Sequence, residues 1–450
     1  MKQILWFRRD LRITDSAILH FAKDEVLPIF IFDKNILNLL SNDDKRVTFI
    51  YKSVLKLKHE LKEIGLDLAI FYSTPKEVFS KLKIEGFENI LCSVDFDEYA
   101  KKRDEEISGI MPMQTFTDSF ITHPNDCLKA DKTPYKVFTP YYNNLEFIWN
   151  SYRLEEFKTN ENLKLISFDY EFIPTLNEMG FELQKLPDFL QKSADKLLEE
   201  FGQKIDNYKI DRDFFDKNAT SNLAVYLRFG LISPRQAFNK IKELKARNEN
   251  KEFFIRELFW REFYNYILFH FPKSEFQNLN KIKVNWNEDE SVFQKWCEGN
   301  TGVPIIDASM RYFNQTGTMH NRLRMIVSSY LTKNLLVDWK KGERYFASKL
   351  LDYEASSNVG SWQWAASTGA DSVPYFRIFN PYLQSAKFDK EAIFIKSVIP
   401  ELKDVPAKQI HSENGVQSNI FLDYPTQIVS IEFSRKRAIE EFKRANNEKY

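Results

Sequence analysis

LLDYEASSNVGSWQWAA, Leu350–Ala366, is the run on which the reading of this chain's carboxy-terminal half turns. At about 100° per residue, a helix through it sets Trp362 and Trp364 on nearly opposite faces. One indole then faces a buried centre while the other lines a cavity. Six of the eight tryptophans lie between Trp260 and Trp364. Spacing alone favours ordinary core packing for such an aromatic cluster, so other residues must decide.

Working outward, residues 201–450 keep a helical period, with proline marking helix starts after Ser233 and at Pro304. They read as one all-helical domain ending in a charged terminal helix. Residues 1–125 alternate short β-branched or aromatic runs with helical spacing. Gln3–Phe7, Val26–Phe32, Asp67–Tyr72 and Asn89–Val94 are the expected strands, and helices are expected over Lys45–Ile64 and from Pro75. That alternation predicts right-handed βαβ crossovers and a parallel, Rossmann-like sheet. Residues 126–200, broken by Pro124, Pro134, Pro140, Pro174 and Pro187 in and around them, read as a long connector. The expected fold class is therefore α/β plus all-α. Only Gly65, Gly86 and Gly109 occur in the first domain, so it carries neither a GxGxxG fingerprint nor a P-loop.

Composition excludes several classes. No stretch approaches the roughly 20 apolar residues of a membrane span, and residues 1–7 are too short in hydrophobic length for a secretory signal. Cys92, Cys127 and Cys297 are odd in number and far apart, which argues against a disulfide framework and suits a reducing, cytoplasmic compartment. Six scattered histidines offer no pair at metal-ligand spacing. Lysine plus arginine equals aspartate plus glutamate at 64 each, yet residues 301–350 carry eight basic and three acidic side chains. That local excess fits either a solvated helix face or a phosphate-binding surface.

RELFWREFY, Arg256–Tyr264, places Glu257, Trp260, Arg261 and Tyr264 at i, i+3, i+4 and i+7 on one helix face. A carboxyl, an indole, a guanidinium and a phenol together are an odd choice for a core. MHNRLRM, Met319–Met325, sets Asn321 and Met325 four apart on one side.

With these motifs, the chain resembles the photolyase and cryptochrome flavoproteins, most closely the bacterial class I cyclobutane pyrimidine dimer photolyases. The resemblance runs from WFRRDLR at Trp6 through YKVFTP at Tyr135 to YFRIFNP at Tyr375 and KFD at Lys387. It implies an amino-terminal α/β domain, a connector and a helical domain holding FAD in a bent conformation. The flavin site implied comprises Tyr208, the loop Thr220, Ser221, Asn222, Leu223 and Ala224, then Arg324, Asp352, Tyr353, Glu354 and Asn358. Asn358 is expected beside flavin N5, where a neutral amide can donate to a bare nitrogen or accept from a protonated one. Arg324 paired with Asp352 places positive charge near an anionic reduced flavin.

The same resemblance implies an electron relay through Trp362, Trp339 and Trp286. Its lesion pocket corresponds to Glu257, Trp260, Asn321, Arg322, Met325 and Trp364. Arg212, Arg261, Tyr264, Arg377 and Gln384 complete the DNA-binding set. The implied partner is DNA containing pyrimidine dimers, bound by a monomer without metal or membrane. The implied reaction begins when light excites reduced FAD and one electron passes to a flipped-out dimer. A protonated Glu257 then donates a hydrogen bond to a thymine carbonyl while the ring splits. Catalytic roles thus fall on Glu257, Asn358, Met325 and Trp364.

Departures from the family pattern are Asn222 for arginine, Ala224 for serine, Tyr353 for glycine, Val359 for asparagine, and Thr318 and Phe254 for tryptophan. Lys101, in DEYAKKRD at Asp97, stands where folate-binding members carry glutamate, which disfavours a folate. A second antenna chromophore of another kind stays open. Three rival readings are a cryptochrome-type blue-light receptor, a (6-4) photoproduct enzyme and a non-catalytic DNA-binding protein. The first is opposed by the complete lesion set and the lack of a long carboxy-terminal extension. The second expects paired histidines where only His320 stands before Asn321. The third would carry no flavin.

Overall fold

KQILWF, Lys2–Phe7, is buried at every position after the first, as a central parallel strand must be. The structure, a computed structural model, describes residues 2–417 and 422–447; Met1, at the head of the expected first strand, lies outside them. The chain divides into two compact units. One comprises Met1–Tyr135, Thr139–Gln203 and Ser221–Pro272, and the other Lys136–Phe138, Lys204–Thr220 and Lys273–Tyr450.

The first unit is built on a parallel sheet of β1 (Lys2–Phe7), β2 (Glu25–Asp33), β3 (Ala69–Ser73), β4 (Asn89–Ser93), β5 (Met113–Phe116) and β6 (Lys164–Leu165). Its order is β3-β2-β1-β4-β5, with β6 on the free start of β2. Ile4 lies opposite Leu27 on one side and Ile90 on the other. The four expected strands are present, each within two residues of its expected ends. β5 and β6 were not expected: β5 is only half-buried and β6 is two residues long, so neither leaves an apolar run. The expected connector holds more order than its prolines suggested, with helices at Phe138–Asn144, Glu146–Trp149 and Ala194–Gly202.

The topological switch point falls between β1 and β4, where α/β sheets ordinarily receive a nucleotide. Side chains near it bond to one another. Arg8 donates to the Ser93 carbonyl and pairs with Asp104 at 2.6 Å. Arg8 and Arg103 both lie against the Trp6 ring, at 4.7 and 4.9 Å. Tyr99 donates to Asp33 at the end of β2.

Beyond β1 the chain runs into a buried four-charge cluster. Asp118 accepts from Arg12 at 2.7 Å and from Arg235 at 2.6 Å, while Asp15 accepts from Arg235 at 3.0 Å and from the Ser233 hydroxyl. Ser233 also caps the helix Pro234–Glu243 in a box with Gln236, the start that the Ser-Pro dipeptide announced. Gly230, at φ +66°, ends the preceding helix. A Cβ there would sit 2.2 Å from the Arg9 carbonyl, so only glycine fits.

The second unit has helices and no strand among its described residues. Its core gathers Trp296, Trp339, Trp362, Phe313, Phe346 and Tyr330 around the helices Pro304–Thr316, Asn321–Ser329 and Ala355–Ala366. No helix among the described residues is long and apolar enough to cross a membrane.

Candidate functional site

The opening run forms the helix Ala355–Ala366. Trp362 is buried at 2% exposure while Trp364, two positions on, is half-buried, as opposite faces of one helix require. Trp362 packs edge-on against Phe346 at 5.1 Å and Trp296 at 6.0 Å. It also lies against the backbone of Gly342, where a Cβ would stand 2.3 Å from the ring. Trp339 is fully buried and its indole N–H donates to Asn278 at 2.8 Å. Trp286 is half-buried and meets Phe442 at 6.0 Å. Trp296, buried and donating to the Val327 carbonyl, was not singled out in the sequence. Its contact with Trp362 spans 66 positions and leaves no local signal.

Asn358 shows what its amide is for. Both its N–H directions go to Glu343, at 3.1 Å to the backbone carbonyl and 2.8 Å to the carboxylate. Its carbonyl oxygen is left to accept. The two-way amide expected from the sequence is thus narrowed to one way. Burial raises the Glu343 carboxyl above its ordinary range, against the lowering effect of the Asn358 bond. Nearby, Arg324 grips both oxygens of Asp352 at 3.0 and 2.9 Å and donates to the Met319 carbonyl at 2.8 Å. Glu354 is buried at the start of the helix, Tyr353 is half-buried, and the Ser356 hydroxyl is buried without a partner.

His320 caps the helix Asn321–Ser329, its Nδ1 accepting from the Arg322 amide at 3.1 Å. An accepting Nδ1 demands a ring not protonated there. Burial pushes its pKa down to about 4, although Asp213 and a bond to the Arg212 backbone pull it up. Arg322 pairs with Asp213 at 2.6 Å and lies over Phe388. Asn321 is exposed, with its amide 3.9 Å from the Met325 sulfur. Tyr208 is buried beneath Arg212, whose guanidinium stands 5.3 Å from the ring. Thr220 is half-buried, Arg377 is exposed and Gln384 is half-buried with its side-chain oxygen unpartnered.

The basic excess of residues 301–350 is largely consumed by the fold. Arg311 pairs with Glu401, Arg322 with Asp213, Arg324 with Asp352 and Lys341 with Glu290. Lys333 is wholly buried and donates to Ala366 and Ser367, closing the end of the tryptophan helix. The stretch is therefore mostly neither of the two surfaces weighed from its composition.

In the first unit, the helix Asn248–His270 is buried on most sides. Glu257, Trp260, Arg261 and Tyr264 form its half-buried stripe, with Trp260 and Tyr264 rings 5.8 Å apart. Arg261 donates to the Ser119 carbonyl at 2.6 Å and lies over Phe120. Glu262, on the buried side, accepts the backbone amides of Ile121 and Thr122. The loop from Ser221 to Ala224 turns through Asn222 at φ +58°, a conformation asparagine tolerates better than arginine. Lys101 stands over the Phe269 ring.

Residues 3–159 match the family described as DNA photolyase, and residues 254–444 match the FAD binding domain of DNA photolyase. A deoxyribodipyrimidine photo-lyase from Alkalihalophilus pseudofirmus is 35% identical over 98% of this chain and 97% of its own length. A class III photolyase structure from Agrobacterium tumefaciens is 30% identical with a TM-score of 0.86, covering 99% of this chain and 98% of that one. An archaeal photolyase structure from Sulfolobus tokodaii, described with two FAD molecules, is 32% identical with a TM-score of 0.83, covering 99% and 100%.

Proposed function

Because this chain belongs to the DNA photolyase family, we propose that it is a deoxyribodipyrimidine photo-lyase, which uses light to split cyclobutane pyrimidine dimers in DNA. Reduced FAD, when bound, supplies the electron that the dimer receives and returns. The observation that carries this reading is Asn358, whose amide is pinned by Glu343 so that a carbonyl oxygen is left over. That acceptor suits the protonated N5 of a reduced flavin. The Arg324–Asp352 pair fixes a guanidinium on the same unit, and the unpartnered Ser356 hydroxyl leaves a further polar group to satisfy. These residues fit FAD. Tyr208, Thr220, Tyr353 and Glu354 in the second unit, and Ser221, Asn222, Leu223 and Ala224 in the first, complete the proposed set.

Toward the lesion, Glu257 is the polar group that meets a pyrimidine carbonyl, and Trp260 offers an apolar wall. In the second unit Trp364, Asn321 and Met325 serve the dimer. Extruding it costs a few kcal/mol, least where stacking is already damaged. Arg212, Arg377, Gln384 and Tyr264 hold the strand. Arg322 is paired with Asp213 and so positions its neighbours, whereas Arg261, bonded to the neutral Ser119 carbonyl, keeps its charge for the strand. Trp362, Trp339 and Trp286 carry electrons to an oxidised flavin. A second antenna chromophore, where one binds, is of a kind other than folate, since Lys101 stands where a glutamate would serve a folate. We assign the protein to the cytoplasm as a monomer.

Two variants separate these roles. Glu257→Gln keeps a donor and is expected to retain most of the repair yield, whereas Glu257→Ala loses more; equal yields would remove Glu257 from the chemistry. Trp339→Phe is expected to slow photoreduction of oxidised flavin while pre-reduced enzyme repairs as before. An unchanged photoreduction rate would take Trp339 out of the relay.

A further inference from the structure

We propose that a cavity of about 430 Å³ beside the helix Pro381–Phe388 receives one nucleotide of the bound DNA, with Arg435 of the last helix gripping its phosphate alongside Arg377. This rests on the repair function proposed above. The cavity has the lower size of an ordinary ligand site. Its walls are apolar at Ile378, Phe379, Leu383 and Ile431, and no acidic residue lines it. Arg377 and Arg435 are both exposed, and neither has an ion-pair partner among the described residues. Most other arginines of this unit are paired, so two free guanidiniums at one cavity mark it out.

Its lining also holds two amide oxygens, those of Asn334 and Gln384, buried with no donor. An unmet buried acceptor is costly, and a ligand bearing N–H groups at its inner end relieves it after a small amide rotation. Phosphate outside, apolar faces along the sides and N–H groups inside describe a nucleotide. A bare phosphate would leave most of the space and both acceptors unused. A base placed against Phe379 and Leu383 gains stacking that does not depend on its identity.

The test compares wild type, Arg435→Ala and Arg435→Lys for affinity to dimer-containing and dimer-free duplex across salt. Losing one phosphate contact is expected to lessen the slope of log affinity against log salt by about 0.9 for Arg435→Ala on both DNAs, and Arg435→Lys is expected to restore it. With 2-aminopurine scanned through both strands, one position outside the dimer is expected to brighten on binding wild type and to dim with Leu383→Trp, which fills the mouth. A wild-type slope in Arg435→Ala, or probes that all stay stacked, overturns the proposal. Failure of wild type to repair dimers in light would instead sink the parent reading.

Discussion

Asp118→Ala is expected to destabilise the amino-terminal unit by about 3–5 kcal/mol, the range for breaking a buried ion pair by removing one partner. Asp118 is fully buried and takes one guanidinium on each oxygen, Arg12 at 2.7 Å and Arg235 at 2.6 Å. With it gone, Arg12 keeps only the backbone carbonyls of Gly230 and Asp15, and Arg235 keeps only Asp15. Arg12 is then a buried cation bonded to no carboxylate, and Arg235 keeps one. The penalty comes from the stranded charges and exceeds the worth of the contacts themselves. Urea unfolding of wild type and variant measures it, and a loss below about 1 kcal/mol, as for an exposed pair, would show that water reaches the cluster.

Lowering pH should unfasten a second element through His320. The ring is held near pKa 4 in the fold against an ordinary value of 6.5. Below pH 6.5 the unfolded chain takes up a proton that the folded chain refuses, so stability falls as pH drops from 6.5 toward 4. It stays flat above 6.5. The full effect is about 3 kcal/mol, because each tenfold loss of proton affinity on folding is worth roughly 1.4 kcal/mol. Physically, a protonated Nδ1 can no longer accept from the Arg322 amide, and the helix Asn321–Ser329 loses its cap. Asp213 moderates the loss, while Arg322 and Arg324 add to it. His320→Asn keeps a capping oxygen and removes the titration. The difference between the two stability curves should therefore open across pH 6.5 to 4, and superimposed curves would contradict the capping role.

Much of this architecture is local in origin and could be read as such. β1 and β2 are continuous apolar runs because both faces are buried, and Ser233-Pro234 starts a helix because its cap lies within three residues. Trp362 and Trp364 diverge because helical rotation alone separates them. What stayed hidden depends on partners far along the chain. Glu343 turns the Asn358 amide from 15 positions away, Asp213 captures Arg322 from 109, and Ser119 captures Arg261 from 142. Charge counting over residues 301–350 missed these pairings, since most of the carboxylates that neutralise the excess lie outside that window. His320, weighed only for its absent twin, is a helix cap. Arg435 carries no motif and gains meaning from the cavity it borders.

The central claim is that this chain, with reduced FAD held by the residues around Asn358, would split pyrimidine dimers in light by the electron that the cofactor would supply. Illuminating the FAD-loaded, pre-reduced protein with thymine-dimer DNA and following absorbance at the thymine band tests it most directly. Absorbance is expected to climb in light, to stay level in darkness, and to climb through many turnovers without added reductant. Level absorbance in light, with flavin bound and reduced, would contradict the account.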